Sequence, residues 1–237
     1  MRHLIFLIAA APLACAPQAF DAVSIKPHPE PVYVSRSSLS GTYATWEAAT
    51  LRDLITDAWN LKFYQVPDQP SWIASDHFDI SVRAPGDAAP SKAAFRQMVQ
   101  TMLADRFHLR VHFESKEIPV YALLVAKSGH KLKEPDLTSH IGGVIAGNGR
   151  IQITASDETM HRLAEQLSLN AGRPVFDKTG LDGMFAFKLE FNPSTTAESD
   201  LPSLPAALQD QLGLRLEPQK APVEMLVIDS AERPSEN

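Results

Sequence analysis

Cysteine is nearly missing from this chain: among 237 residues it occurs once, at Cys15. That position lies in the first 19 residues, ahead of the part expected to fold. Disulfides, thiol catalysis and cysteine-based metal sites are therefore excluded from the folded part. A basic excess is missing too. Lys and Arg number 22 against 28 Asp and Glu, a formal charge of −6, so no global signature for nucleic acid exists. After Ala19 no apolar run approaches the ~20 residues of a membrane-spanning helix, so no transmembrane span is expected in the mature chain. Glycine is scarce, 11 residues against 18 prolines, which suggests many short elements separated by stiff turns. The 44% hydrophobic and 21% charged content excludes a mainly disordered or collagen-like chain. The length suits one large domain or two small ones.

What is present begins with MRHLIFLIAAAPLACAPQA. Arg2 supplies a positive start, Leu4 to Ala11 form a short apolar run, and Ala14-Cys15-Ala16 has the small-x-small pattern of a cleavage site. Residues 1–19 are expected to be a signal peptide, which places the mature chain in the periplasm or outside the cell. Leu13-Ala14-Cys15 is close to a lipobox, with Pro12 where that box carries a branched apolar residue. A lipid anchor on Cys15 is the alternative to simple secretion.

The rest of the chain repeats itself. LADRFHLRV (103–111) recurs as LQDQLGLRL (208–216), and EIPVYALLV (117–125) as KAPVEMLVI (220–228). FDISVR (78–83) pairs with FAFKLE (185–190), and LRDLITDAW (51–59) with MHRLAEQLS (160–168). Four echoes in one order indicate a tandem duplication. Thr50-x-x-Asp53 reads as a capping box opening a helix with Leu51, Leu54, Ile55 and Ala58 on one face. Phe95, Met98, Val99, Met102 and Leu103 make a second stripe, running into strands over His108–Glu114 and Val120–Lys127. Met160, Leu163, Ala164 and Leu167 form the matching stripe in the second copy. Leu204, Ala207, Leu208 and Leu212 form its last one, entered through Ser203 and Pro205. The expected fold class is α+β, a tandem duplication of a small module with a mixed or antiparallel sheet and two helices. Expected bounds are a first module over 20–128, a linker or hairpin over 129–149 and a second module over 150–237. NPSTTAESDLP (192–202) reads as a mobile surface loop.

No convergent catalytic set emerges. Asp177-Lys178-Thr179-Gly180 resembles the phosphorylated run of P-type ATPases, but Leu181 follows it. It reads as a turn in which Asp177 and Thr179 bond the backbone. His108 and His112 would share a helix face, but on a strand they stand ~13 Å apart, too far for one ion. No HExxH or GxSxG occurs. GGVIAGNG (142–149) leads into a strand over Arg150–Thr154, which removes the helix terminus a phosphate cradle needs. No catalytic residue, metal site or cofactor is expected.

Trp46, Trp59, Tyr64 and Trp72 cluster in the first copy, and the second has no tryptophan. They serve either as core or as a binding groove for a sugar chain or peptide. Trp59, Tyr64, Trp72, Asp76 and Asp177 are the candidate binding residues. An open strand edge could also accept a partner strand.

Over nearly its whole mature length the chain resembles a family of exported proteins of unknown function abundant in soil bacteria. The resemblance is carried by FDAVSIKP (20–27), LRDLITDAWNLKFYQV (51–66), PSWIASDHFDI (70–80) and MLADRFHLRVHFESKEIPVYALLVAK (102–127). GRPVFDKTGLDGMFAFKLEF (172–191) and LQDQLGLRLEPQKAPVEMLVIDSAERPSEN (208–237) complete it. In that family the domain also occurs fused to membrane metallopeptidase sensors, which implies a sensing or interaction role. The element order of each half is similar to the short N-terminal domain of secretins and TonB-dependent transporters, which are docking modules. The function expected is that of an exported non-enzymatic binding protein of the cell envelope. Its partner would be an envelope protein, a glycan or a small ligand, with no nucleic acid. The alternative is an exported hydrolase with a carboxylate site between the modules, using Asp76, Asp79, Asp177 or Asp182.

Overall fold

The computed structural model describes residues 19–29, 35–67, 70–139, 142–147, 149–193 and 200–234. The expected signal peptide with Cys15, and most of the 192–202 loop, lie outside them. The chain divides into two compact units, 1–114 with 225–237, and 115–224. The architecture is α+β.

In the first unit come strands β1 (Ala22–Pro27), β2 (Arg36–Ser40) and β3 (Tyr43–Thr50), then helix α1 (Leu51–Trp59). A single 3-10 turn (Phe63–Gln65), the short helix α2 (Trp72–Ser75) and strand β4 (His77–Arg83) follow. Helix α3 (Lys92–Phe107) then leads into β5 (Arg110–Val125). The first four strands form an antiparallel sheet in the order β1-β4-β3-β2. The capping box expected at α1 is present: Thr50 Oγ1 accepts from the Asp53 N–H, and Asp53 accepts from the Thr50 N–H. The apolar stripes of α1 and α3 pack on the sheet, with Leu51, Leu54, Ile55, Leu103 and Phe107 fully buried. Phe78 meets Phe107 edge-on at 5.5 Å.

The second unit holds β6 (Gly142–Gly147), β7 (Arg150–Glu158), helix α4 (Met160–Ser168), β8 (Val175–Asp177) and β9 (Phe185–Phe191). Helix α5 (Leu204–Ala207) and a π-turn (Leu208–Leu212) precede β10 (Leu214–Ser230). One sheet runs β6-β7-β9, antiparallel throughout, and another runs β10-β5-β8, with β8 parallel to Tyr121–Leu123 of β5. Within 129–149, expected as linker or hairpin, β6 pairs antiparallel with β7, with Gly147 opposite Arg150.

The duplication shows in the caps and bulges as well as in the order of elements. Thr50 and Thr159 both cap their helices from an extended backbone. The β3–β4 ladder slips between Trp46 and Ala49, and the β7–β9 ladder slips between Ala155 and Glu158. His108 and Gly213 both end the second helical segment in a left-handed conformation.

Two expectations need correcting. The strand pair over 108–114 and 120–127 is a single strand, β5. Pro119 does not break it, because the β8 ladder begins only at Tyr121 and no bond on that side is lost. The compact units also do not follow the 20–128 and 150–237 bounds. The chain leaves the first unit inside β5 and returns to it inside β10. Leu123 packs in the second core, whereas its repeat counterpart Leu226 packs in the first, beside Ile228 and Ala231. Each repeat thus ends in the other repeat's core.

Candidate functional site

The sequence candidates divide between the units: Trp59, Tyr64, Trp72 and Asp76 belong to the first, and Asp177 to the second. Trp59 and Trp72 are half-buried and pack against the first core. Tyr64 sits half-buried on the 3-10 turn. The Arg233 guanidinium lies 5.2 Å over the Trp72 ring, and its Nε donates to Asp76 Oδ2 at 2.7 Å. Trp72 and Asp76 are thus engaged by the chain's own C-terminal segment. Asp177 belongs to the second unit, where its Oδ1 accepts from both the N–H and the hydroxyl of Thr179. That is the expected turn, with Gly180 and Gly183 at positive φ. Asp182 is exposed in the same unit.

Asp79 organises the bulge of β3. Its Oδ1 accepts from the Ala48 N–H at 3.0 Å and lies 2.8 Å from His28 Nδ1. Burial pushes its pKa up, but the Ala48 bond and His28 outweigh burial and leave it below the usual carboxylate range. These contacts hold Ala48 in a left-handed conformation, φ 53°, unusual for alanine. The three together form a backbone support.

His112 stands between Glu114 (Nε2 to Oε1, 3.1 Å) and Asp229 (Nδ1 to Oδ1, 2.8 Å). Its hydrogen bonds to Glu114, then Asp229, raise its pKa above the ordinary imidazole value. A raised folded pKa means the pair stabilises fully below the unfolded value of about 6.5 and fades as pH rises through the folded one. The stability difference between the wild type and His112→Gln should therefore shrink between pH 6 and pH 9. Urea midpoints at both ends of that range check this; a constant difference would contradict it.

A site with room for an apolar group lies in the first unit, among β2, β3, α1 and α3. It is a cleft of about 260 Å³ lined by Leu39, Ala44, Trp46, Phe95 and Val99 on its apolar walls. Ser37, Ser38, Pro90, Asp57, Lys92 and Arg96 edge it. The β2–β3 hairpin places Ser37 opposite Trp46 and Leu39 opposite Ala44, so all four share one face of the sheet. The Trp46 and Phe95 rings stack at 5.9 Å and 22°, and Phe20 meets Phe95 edge-on at 5.6 Å. Trp46 Nε1–H donates to Asp57 Oδ2 at 3.3 Å. Desolvation raises the Asp57 pKa, Asp53 adds to it, and the Trp46 bond and Arg96 act against it. Arg96 is held by Asn60, donating to its Oδ1 at 2.6 Å. Lys92 is exposed on the first turn of α3.

The duplicated fold provides an internal comparison. Counting from the helix caps, Trp46 corresponds to Ala155 and Asp57 to Gln166. Helix α5 begins only at Leu204, the counterpart of Val99, so the turns carrying Phe95 and Arg96 have no equivalent in it. The cleft is thus an addition to the first copy and not a requirement of the module. Sequence reading noticed Trp46 but missed Leu39, Asp57, Lys92, Phe95 and Arg96. Subtracting one repeat from the other would have exposed them.

Among the described residues no group of His, Cys, Asp and Glu is placed to hold a metal, and no helix is long and apolar enough to cross a membrane. Fold and cleft together define a duplicated α+β protein with a cleft in its first copy. Residues 52–231 match the family described as protein of unknown function (DUF3738), and the chain belongs to that family. Neither a curated protein nor a solved structure matches it.

Proposed function

We propose that this chain is an exported, non-enzymatic binding protein of the cell envelope, with its ligand seat in the cleft of the first unit. The observation that carries the reading is the stacked Trp46–Phe95 wall, built in one copy of a duplicated module and omitted from the other. Such a pair contributes about 0.5–1.5 kcal/mol beyond its buried area, so it is fixed before any ligand arrives. The cleft's 260 Å³ falls just below the ~300–1,000 Å³ of pockets that enclose whole small molecules. It suits one anchoring group of a larger ligand. Export is supported by the features of residues 1–19.

Immobilised protein should retain a defined species from an envelope extract. Leu39→Glu, at a residue 57% exposed, should abolish that retention without lowering the melting temperature. Leu169→Glu, at a residue 76% exposed in the second unit, should leave it intact. Equal retention by both variants would remove the cleft from consideration.

A further inference from the structure

We propose that the cleft's occupant is an extended polypeptide segment carrying both apolar and acidic side chains, added as a further strand to the outer edge of β2. The inference rests on the binding reading above and names its ligand class. β2 is the last strand of its sheet, and among the described residues no strand pairs with its other side. Ser40 faces Tyr43 across the two-residue loop Gly41–Thr42, with Gly41 at φ 59°. The closing pair of such a hairpin is hydrogen-bonded, and bonded pairs then alternate with non-bonded ones. Ser38 and Arg36 therefore bond to β3, and Ser37 and Leu39 turn their N–H and C=O groups to the outer edge. Those two residues also line the cleft. A chain that pairs with them sends alternate side chains to the cleft face, where Leu39 and Phe95 receive an apolar one.

Charge sets the second requirement. The cleft carries Lys92 and Arg96 against Asp57, a cationic rim on a chain whose formal charge is −6. Lys92 and Arg96 lie one turn apart on α3, alongside the apolar wall. A carboxylate on the incoming segment meets this rim, and a basic segment is repelled. A neutral glycan would satisfy neither the strand edge nor the charge.

The probe is a library of random peptides of roughly nine residues, selected on the immobilised full chain and resynthesised for titration. Selected peptides should combine an apolar residue with Asp or Glu. Ser37→Pro removes one outward N–H, leaves the β2–β3 ladder whole and should weaken binding about tenfold. Leu169→Glu, in the second unit, should stay within about twofold of wild type. N-methylation of alternate peptide amides should cost about tenfold on the unaltered protein, so the conclusion does not depend on the proline variant folding. Lys92→Glu combined with Arg96→Glu should turn the preference towards peptides with Lys or Arg. The proposal is overturned if N-methylation has no effect, or if the double reversal leaves the preference acidic. It is also overturned if no peptide is selected while Leu39→Glu still abolishes envelope retention, in which case the binding reading stands. Loss of both results removes both.

Discussion

Leu226→Ala is expected to loosen the unit built mainly from the first half of the chain, and Leu123→Ala the unit built from the second. The two leucines are repeat counterparts, in PVYALLV and PVEMLVI, and both are buried, at 1% and 0% exposure. Leu226 packs among Ile25, Leu103 and Phe107, and Leu123 among Leu163, Leu189 and Leu208. Leucine-to-alanine changes at such sites cost about 2–5 kcal/mol through lost transfer energy and the cavity left behind. Hydrogen exchange read by peptide mass spectrometry locates the damage. Protection should fall in 19–114 for Leu226→Ala and in 115–224 for Leu123→Ala. The opposite assignment would mean that each repeat keeps its own last strand.

The left-handed cap residues should show an equally strong asymmetry. Gly213 has φ 62°, and a Cβ there would stand 2.2 Å from the Gly129 carbonyl oxygen and 2.9 Å from His130 Cα, both backbone. Gly213→Ala therefore combines left-handed strain with a collision against atoms that do not move cheaply, a cost of about 2–5 kcal/mol. His108 occupies the equivalent cap at φ 47° with its side chain in solvent. There His108→Gly should be neutral or stabilising by up to about 1 kcal/mol, since it relieves the left-handed strain. Thermal unfolding of the two variants tests the pair. A Gly213→Ala protein as stable as wild type would mean that the 129–131 backbone yields freely.

Much of the fold was legible because it depends on local signals. The Thr50–Asp53 capping box, the apolar stripes of α1 and α4, and the alternation in Phe185–Phe191 each belong to one short segment. The Asp177–Thr179 turn was legible for the same reason. The exchange of strand ends was not. Leu123 and Leu226 sit in the same Pro-Val-x-x-Leu pattern, and a repeat aligned to itself cannot say which core receives which copy. The continuity of β5 through Pro119 was hidden because proline is read as a break unless the unpaired side is known. For the cleft, Trp46 was visible as an aromatic, but its meaning depends on Phe95, 49 positions further on, and Leu39 across a hairpin. Trp72 and Asp76 drew notice as isolated residues. Their partner, Arg233, lies at the far end of the chain, 157 residues from Asp76.

The exchange of strand ends also orders events in time. Most domains can close as soon as their own stretch of chain is delivered, N-terminal units first. Here the first unit still lacks Leu226, Ile228 and Ala231 from its core when everything up to residue 224 has arrived. Residue 115 onwards can meanwhile complete its own core, since all the residues it needs lie within 115–224. The later half of the chain can therefore mature before the earlier half, and the long loop that joins Ile25 to Leu226 closes only after residue 226 has arrived. Until then the first half remains without part of its core.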